Sequence, residues 1–347
     1  MAISTKLGSY PDIYLRTIIM KRNLLVRPDY DKLLKMSPGE IGKYLEDFEY
    51  KKEVDELGMK YQGTELIERT LQLSLGNKFD KLLRICPLDI KLLIKIYQKR
   101  YDVYNIKVIL RAKLNNLSAE DTKNHMNPVS VAKNDFFERL IAQKTVEEVI
   151  SSLNFLDEGQ IRASIDHFKN NQSLLHIENM LDKHYFSSVI SQLTFLKEEG
   201  KLYKKFLLKE IDVLNVKLLL RLKREGISEQ DIKELIVGYG TLKKFEIDKM
   251  LKSDVTSIIK ELENTQFKEI AEKYSKEAEV DFTDLEMSLD KFLLEQSRKL
   301  IKQHPLSVDV ILGYMFLKDL EVKNLTRIIK AKQLGMEESF IEKIILI

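Results

Sequence analysis

The chain has 347 residues, 44% of them hydrophobic and 32% charged, with 57 Lys and Arg against 54 Asp and Glu. That length suits two or three domains, and the composition suits a well-packed protein with a highly charged surface. The net charge of +3 is too small to argue for nucleic acid.

Taken in chain order, the stretch before Pro11 carries no apolar signal core. From Leu66 to Ile85 apolar residues recur at Leu71, Leu75, Phe79, Leu82 and Ile85, a spacing that predicts one face of a helix. The lone Cys86 has no disulfide partner in the chain and is expected in the core, which favours a cytoplasmic location. Pro87 interrupts the helix and can start the next, since proline is tolerated in a first turn. The Tyr-rich piece Tyr97–Tyr104 fits a helix end better than a strand. The phrase D-V-Y-N-I-K-V-I-L-R-A-K then begins at Asp102. Asn105 precedes an apolar helical run and is a candidate N-cap, although Asp102 could cap one turn earlier. Ile106, Ile109, Leu110 and Leu114 form the expected buried stripe. Lys107 and Arg111, four apart, share the other face. Leu117-Ser118-Ala119 followed by the acidic Glu120 and Asp121 reads as a new N-cap.

The phrase recurs twice. It returns as D-V-L-N-V-K-L-L-L-R-L-K from Asp212 and as E-V-K-N-L-T-R-I-I-K-A-K from Glu321. Asn105, Asn215 and Asn324 are 110 and 109 residues apart. Lys217 and Arg221 repeat the basic pair, whereas the third copy has Thr326 and Lys330. Leu71, Leu181 and Leu289 keep the same period, as do Leu45, Leu153 and Leu262. Ser118 returns as Ser228. The longest uncharged stretch, thirteen residues from His184 to Leu196, falls short of the about 20 apolar residues of a membrane span. The reading is all-α, with repeat units at 1–117, 118–227 and 228–347 in a near-threefold arrangement. These units carry +7, 0 and −4, a difference that either drift among solvated faces or a partner without threefold symmetry would produce. The recurring candidates Lys107, Arg111, Lys217 and Arg221 would face such a partner, and the three asparagines would cap the repeated helix.

Catalytic patterns do not appear. There is no G-x-x-x-x-G-K-[ST] loop, no G-x-G-x-x-G and no H-E-x-x-H. His176 and His184, two helical turns apart, would be separated by about 12 Å, too far for one metal. Neither a cofactor nor a metal is expected. The repeat alone would also allow a free-standing helical adaptor.

The ordered set formed by Tyr14-Leu15-Arg16, Lys21-Arg22-Asn23-Leu24-Leu25, Asp29-Tyr30, Leu33-Leu34, the Asp102–Lys113 phrase and Leu117-Ser118 resembles the C subunit of archaeal and bacterial vacuolar-type ATP synthases. That family is similar to the d subunit of the eukaryotic vacuolar ATPase. The resemblance covers nearly the whole chain, and the third unit departs most, with Glu321 for Asp and Thr326 for Lys. It implies three helical units forming a funnel around a pseudo-threefold axis. It also implies a non-catalytic rotor piece of the central stalk, one copy per complex, peripheral on the cytoplasmic face of the cell membrane. The implied partners are the D and F subunits of the central shaft and the membrane proteolipid rotor ring.

Overall fold

The structure, a computed structural model, describes residues 10–194, 197–238, 240–277 and 280–347. Among these residues all regular structure is helical. A leading helix α1 (Pro11–Arg22) precedes α2 (Arg27–Lys35), α3 (Pro38–Glu46), α4 (Lys51–Leu57), α5 (Gly63–Ile85) and α6 (Leu88–Leu114). Next come α7 (Ala119–His125), α8 (Asn134–Ala142), α9 (Val146–Ser151), α10 (Glu158–Asn171), α11 (Leu175–Leu193) and α12 (Lys197–Arg224). The chain continues through α13 (Glu229–Leu235), α14 (Lys244–Lys252), α15 (Val255–Leu262), α16 (Lys268–Tyr274), α17 (Phe282–Gln303), α18 (Asp309–Gln333) and α19 (Glu338–Ile344). In register with the sequence period, α6, α12 and α18 correspond, as do α5, α11 and α17, and α7, α13 and α19.

Local signals explain the repeated boundaries. The Ser118 and Ser228 hydroxyls accept from the backbone amides of Asp121 and Asp231, capping α7 and α13 as the sequence predicts. Each long helix also stops in the same way. Asn116, Gly226 and Gly335 take φ of 55°, 72° and 68°. The next amide then reaches back to the helix, from Leu117 to Ala112, Ile227 to Leu222 and Met336 to Ala331, at 2.9, 3.0 and 3.0 Å. This is a left-handed turn that satisfies a carbonyl left free at the helix end, and glycine adopts it without steric strain.

The expectation that Asn105, Asn215 and Asn324 are N-caps is corrected. Their helices start at Leu88, Lys197 and Asp309, so all three lie in mid-helix, 1%, 3% and 1% exposed. Tyr97–Tyr104 is likewise interior to α6 rather than at a helix end. Each asparagine instead grips a backbone peptide 22 residues downstream. Asn105 donates to the Asn127 carbonyl at 2.9 Å and accepts from its amide at 2.7 Å. Asn215 does the same with Val237, at 2.7 and 2.9 Å. Asn324 does so with Leu346, at 2.6 and 3.0 Å. A buried polar side chain must find partners, and here both halves of the amide do.

The hydrophobic cores are out of phase with the sequence units. Ile106, Ile109 and Leu110 of α6 pack with Phe137, Leu140, Leu153, Ile177 and Leu181, up to halfway along α11. Leu114, placed on the same stripe by the sequence, is 38% exposed. Val216, Leu219 and Leu220 of α12 pack with Ile232, Met250, Leu262, Leu285 and Leu289 in the matching way. The third body joins the two ends of the described chain. Leu325, Ile328 and Ile329 of α18, with Ile341 and Ile345, share a cluster with Leu33, Ile41, Leu45, Ile67 and Leu71. The landmark leucines 45, 71, 153, 181, 262 and 289 are all at most 1% exposed.

Acidic side chains pin the start of the following segment in each body. Asp102 accepts from the Val131 and Ala132 amides at 2.9 and 3.2 Å, and Asp212 from those of Thr241 and Leu242 at 2.9 and 3.1 Å. Glu321 accepts from the amide of Leu25 at 2.6 Å. Leu25 stands just before α2, as Ala132 and Leu242 stand just before α8 and α14. The longer glutamate therefore does across the chain ends what aspartate does within them. Lys318, 0% exposed, donates to Glu49, Glu321 and the Tyr50 hydroxyl at 2.7, 2.8 and 2.9 Å. Burial works against this ammonium, but Glu321 and Glu49 outweigh it and hold the cation above its ordinary range.

Candidate functional site

The first halves of α6, α12 and α18 meet five residues before each gripping asparagine, at Arg100, Glu210 and Asp319. Arg100 forms a two-pronged pair with Glu210, at 3.0 and 3.2 Å, and lies over the Tyr97 ring, 3.8 Å from its centroid. The fork of a guanidinium matches a carboxylate in both geometry and charge. The Tyr101 hydroxyl donates to Asp319 at 2.8 Å, and Lys323 reaches the same carboxylate at 2.7 Å. Burial pushes the Asp319 carboxyl up, but Lys323, Arg100 and the Tyr101 hydroxyl together hold it below the usual range.

Beside this junction lies a cavity of about 480 Å³. Leu75, Val103, Tyr104, Leu214 and Val322 line its apolar part. Its charged lining includes Arg100, Lys107, Lys323 and Arg327 against Asp182, Glu210 and Asp319. Three of the cations are paired with the three carboxylates. Arg327 donates to the Ile344 carbonyl at 3.1 Å, and no carboxylate pairs with it among the described residues. One cation is thus left over, so the wall is net positive, and the cavity combines apolar surface with charge that would favour an acidic group.

The four basic residues singled out in the sequence form clamps within the chain. Lys107 pairs with Asp182 at 2.5 Å and Arg111 with Glu178 at 2.6 Å, tying α6 to α11. Lys217 pairs with Asp290 at 2.9 Å and Arg221 with Glu286, tying α12 to α17. In the third copy Lys330 stands 3.9 Å from Glu68, tying α18 to α5. The second pair of that copy is replaced by uncharged residues, Thr326 and Gln72, and the Thr326 hydroxyl donates to the Val322 carbonyl of its own helix at 2.8 Å. Arg111 and Arg221 stay 59% and 53% exposed, whereas Lys107 and Lys217 are largely covered. Sequence reasoning missed the acidic halves, although their signal was present. The phrases that end on the landmarks Leu71, Leu181 and Leu289, L-I-E-R-T-L, H-I-E-N-M-L and D-L-E-M-S-L, each carry the pairing glutamate in third place, as Glu68, Glu178 and Glu286.

Among the described residues, no group of three His, Cys, Asp or Glu side chains could hold a metal ion, and no helix is long and apolar enough to cross a membrane. The stacked pair His167 and His176, with ring centroids 4.5 Å apart, bonds to Asn171 and Ser164.

Tripled helical bodies joined by buried polar ties define a class of all-helical protein organised by internal repetition. Similarity to known proteins gives the family within that class. The family described as ATP synthase (C/AC39) subunit matches residues 16–344. A relative from Methanosarcina barkeri, named as the C subunit of A-type ATP synthase, is 32% identical over 96% of this chain and 92% of its own length. Proteins of the same name from Archaeoglobus fulgidus and Haloferax volcanii are 32% and 28% identical, over 95% and 98% of this chain and 94% and 98% of their own. The chain belongs to the ATP synthase (C/AC39) subunit family, whose members are parts of rotary ATP synthases.

Proposed function

We propose that this protein is a non-catalytic central-stalk piece of the rotor. It couples the central shaft, formed by the D and F subunits, to the membrane proteolipid ring, one copy per complex, at the cytoplasmic face of the cell membrane. On this reading the three helical bodies form a pseudo-threefold funnel. What supports that shape is the cyclic order of contacts: α6 on α11, α12 on α17, and α18 back on α5. The observation that carries the function is the cavity where the three long helices meet. It is walled by apolar side chains and by Arg327 without a carboxylate, and it suits an acidic, partly apolar shaft foot. The clamps hold the walls, and Arg111 and Arg221 keep the exposed surface from which to reach a partner. Ties buried in each body make that body stiff, as torque transmission requires, because closely packed interiors transmit strain.

The test is binding of purified D and F to the full chain carrying Arg327→Glu, the cation that no carboxylate pairs with among the described residues. Reversing that charge at a desolvated contact should weaken association by about tenfold or more, and should alter its salt dependence. Unchanged affinity would remove the cavity as the docking point. Copurification with both the shaft and the proteolipid ring separates this reading from a free-standing adaptor.

A further inference from the structure

We propose that the seam between α5 and α7 is a joint, the place where the helical bodies open and close against one another. The internal repetition supplies the controls, since the same junction occurs three times with the same elements. At the junction of α11 and α13 the helices pack together. Asn179 of α11 donates to the Leu235 carbonyl and Lys183 to the Glu234 carbonyl. At the junction of α17 and α19, the side chains in the same register are Met287 and its neighbours. Met287 and Leu294 share an apolar cluster with Leu346, and the two helices pack.

At the third junction the residue in register with Asn179 and Met287 is Arg69, and its partners lie on its own side of the cavity rather than on α7. It pairs with Glu65 at 2.9 Å and lies over the Tyr61 ring, 3.9 Å from its centroid. Leu73 stands where Lys183 does and has no polar head to offer a carbonyl. Between α5 and α7 lies a cavity of about 630 Å³, with Glu65, Arg69, Gln72 and Leu73 on one side and Asp121, Lys123, Asn124 and His125 on the other. Among the described residues, the one side-chain hydrogen bond across it runs from Asn127 to Gln72 at 2.6 Å. The body on the α5 side is also the one with the loosened clamp, Lys330 and Glu68 at 3.9 Å and Thr326 in place of lysine.

The seam has a route to the centre. Gln72, Tyr104, Asn127 and Thr326 line both this cavity and the central one. Opening the seam therefore widens the central cavity, whereas the other two junctions keep their shape. This goes beyond shaft docking and rests on the junction contacts alone.

The test uses paired spin labels in the full chain. One pair is Glu65→Cys with Asn124→Cys across the seam, and the other is Leu175→Cys with Glu234→Cys in the same register across α11 and α13. All four positions are exposed. Cys86 is 4% exposed and burial pushes its thiol up to about 12, so it does not compete for label. Pulsed electron resonance should give a distance distribution about twice as broad across α5 and α7, or one with two maxima. In the unlabelled chain, amides of α7 should exchange about ten times faster than those of α13. Equal widths at the two junctions, or equal protection of α7 and α13, would overturn the proposal.

Discussion

Asn215 shows how one side chain sets the geometry of a whole body. Its amide satisfies both the N–H and the carbonyl of Val237, which is itself 0% exposed. The tie joins mid-α12 to the segment after α13, so it fixes how the short helices fold back on the long one. Asn215→Ala leaves a buried donor and a buried acceptor without partners. Each orphan costs roughly 1–3 kcal/mol, so a loss of about 2–6 kcal/mol is expected. Urea denaturation of the two chains checks this, and a change within error would mean that the tie is replaceable by solvent. The role of these asparagines was not legible in the sequence, for a physical reason. An asparagine before an apolar run looks like a cap because capping is local, but its partner here is a tertiary contact 22 residues away. Ser118 and Ser228 were legible because their partners sit three residues downstream, within the same turn.

Between elements, the long helices are joined by polar contacts as well as apolar ones. The Tyr101–Asp319–Lys323 group links α6 to α18 and makes a pH prediction. The folded-state pKa of Asp319 lies below the ordinary value. Its contribution is therefore fully present above the unfolded value of about 4 and is lost as pH falls through the folded value. Asp319→Asn should melt at a lower temperature than the parent near neutral pH, and the gap should close as pH drops below about 4. Thermal melts at stepped pH follow this directly, and a gap that widens on acidification would contradict it. Helix identity was largely readable from periodicity, as in the run Leu71, Leu75, Phe79 and Leu82 of α5, all at most 1% exposed. The pairing of helices was not. Lys107 and Asp182 are 75 residues apart, and no local pattern sets which acidic residue a recurring cation meets.

Over the whole molecule, repetition in the sequence and closure in space are offset by half a helix. A repeat read from Asp102, Asp212 and Glu321 gives the right period. The body that each phrase starts is completed by the next segment, and for Glu321 that segment is the other end of the described chain. Leu25, Tyr50 and Arg27 supply it through bonds to Glu321 and Glu342. The departures at Glu321 and Thr326 are thus places where closure differs, and the loosened clamp lies beside the open seam. Such asymmetry supports the coupling role proposed above, in which the partner would lack threefold symmetry. Coupling itself is measured on the assembled complex with and without this protein. ATP hydrolysis by the catalytic part should survive its removal while ATP-driven ion translocation is lost, and translocation should return when the protein is added back. Ion translocation that continues at full rate without it would rule out a coupling role.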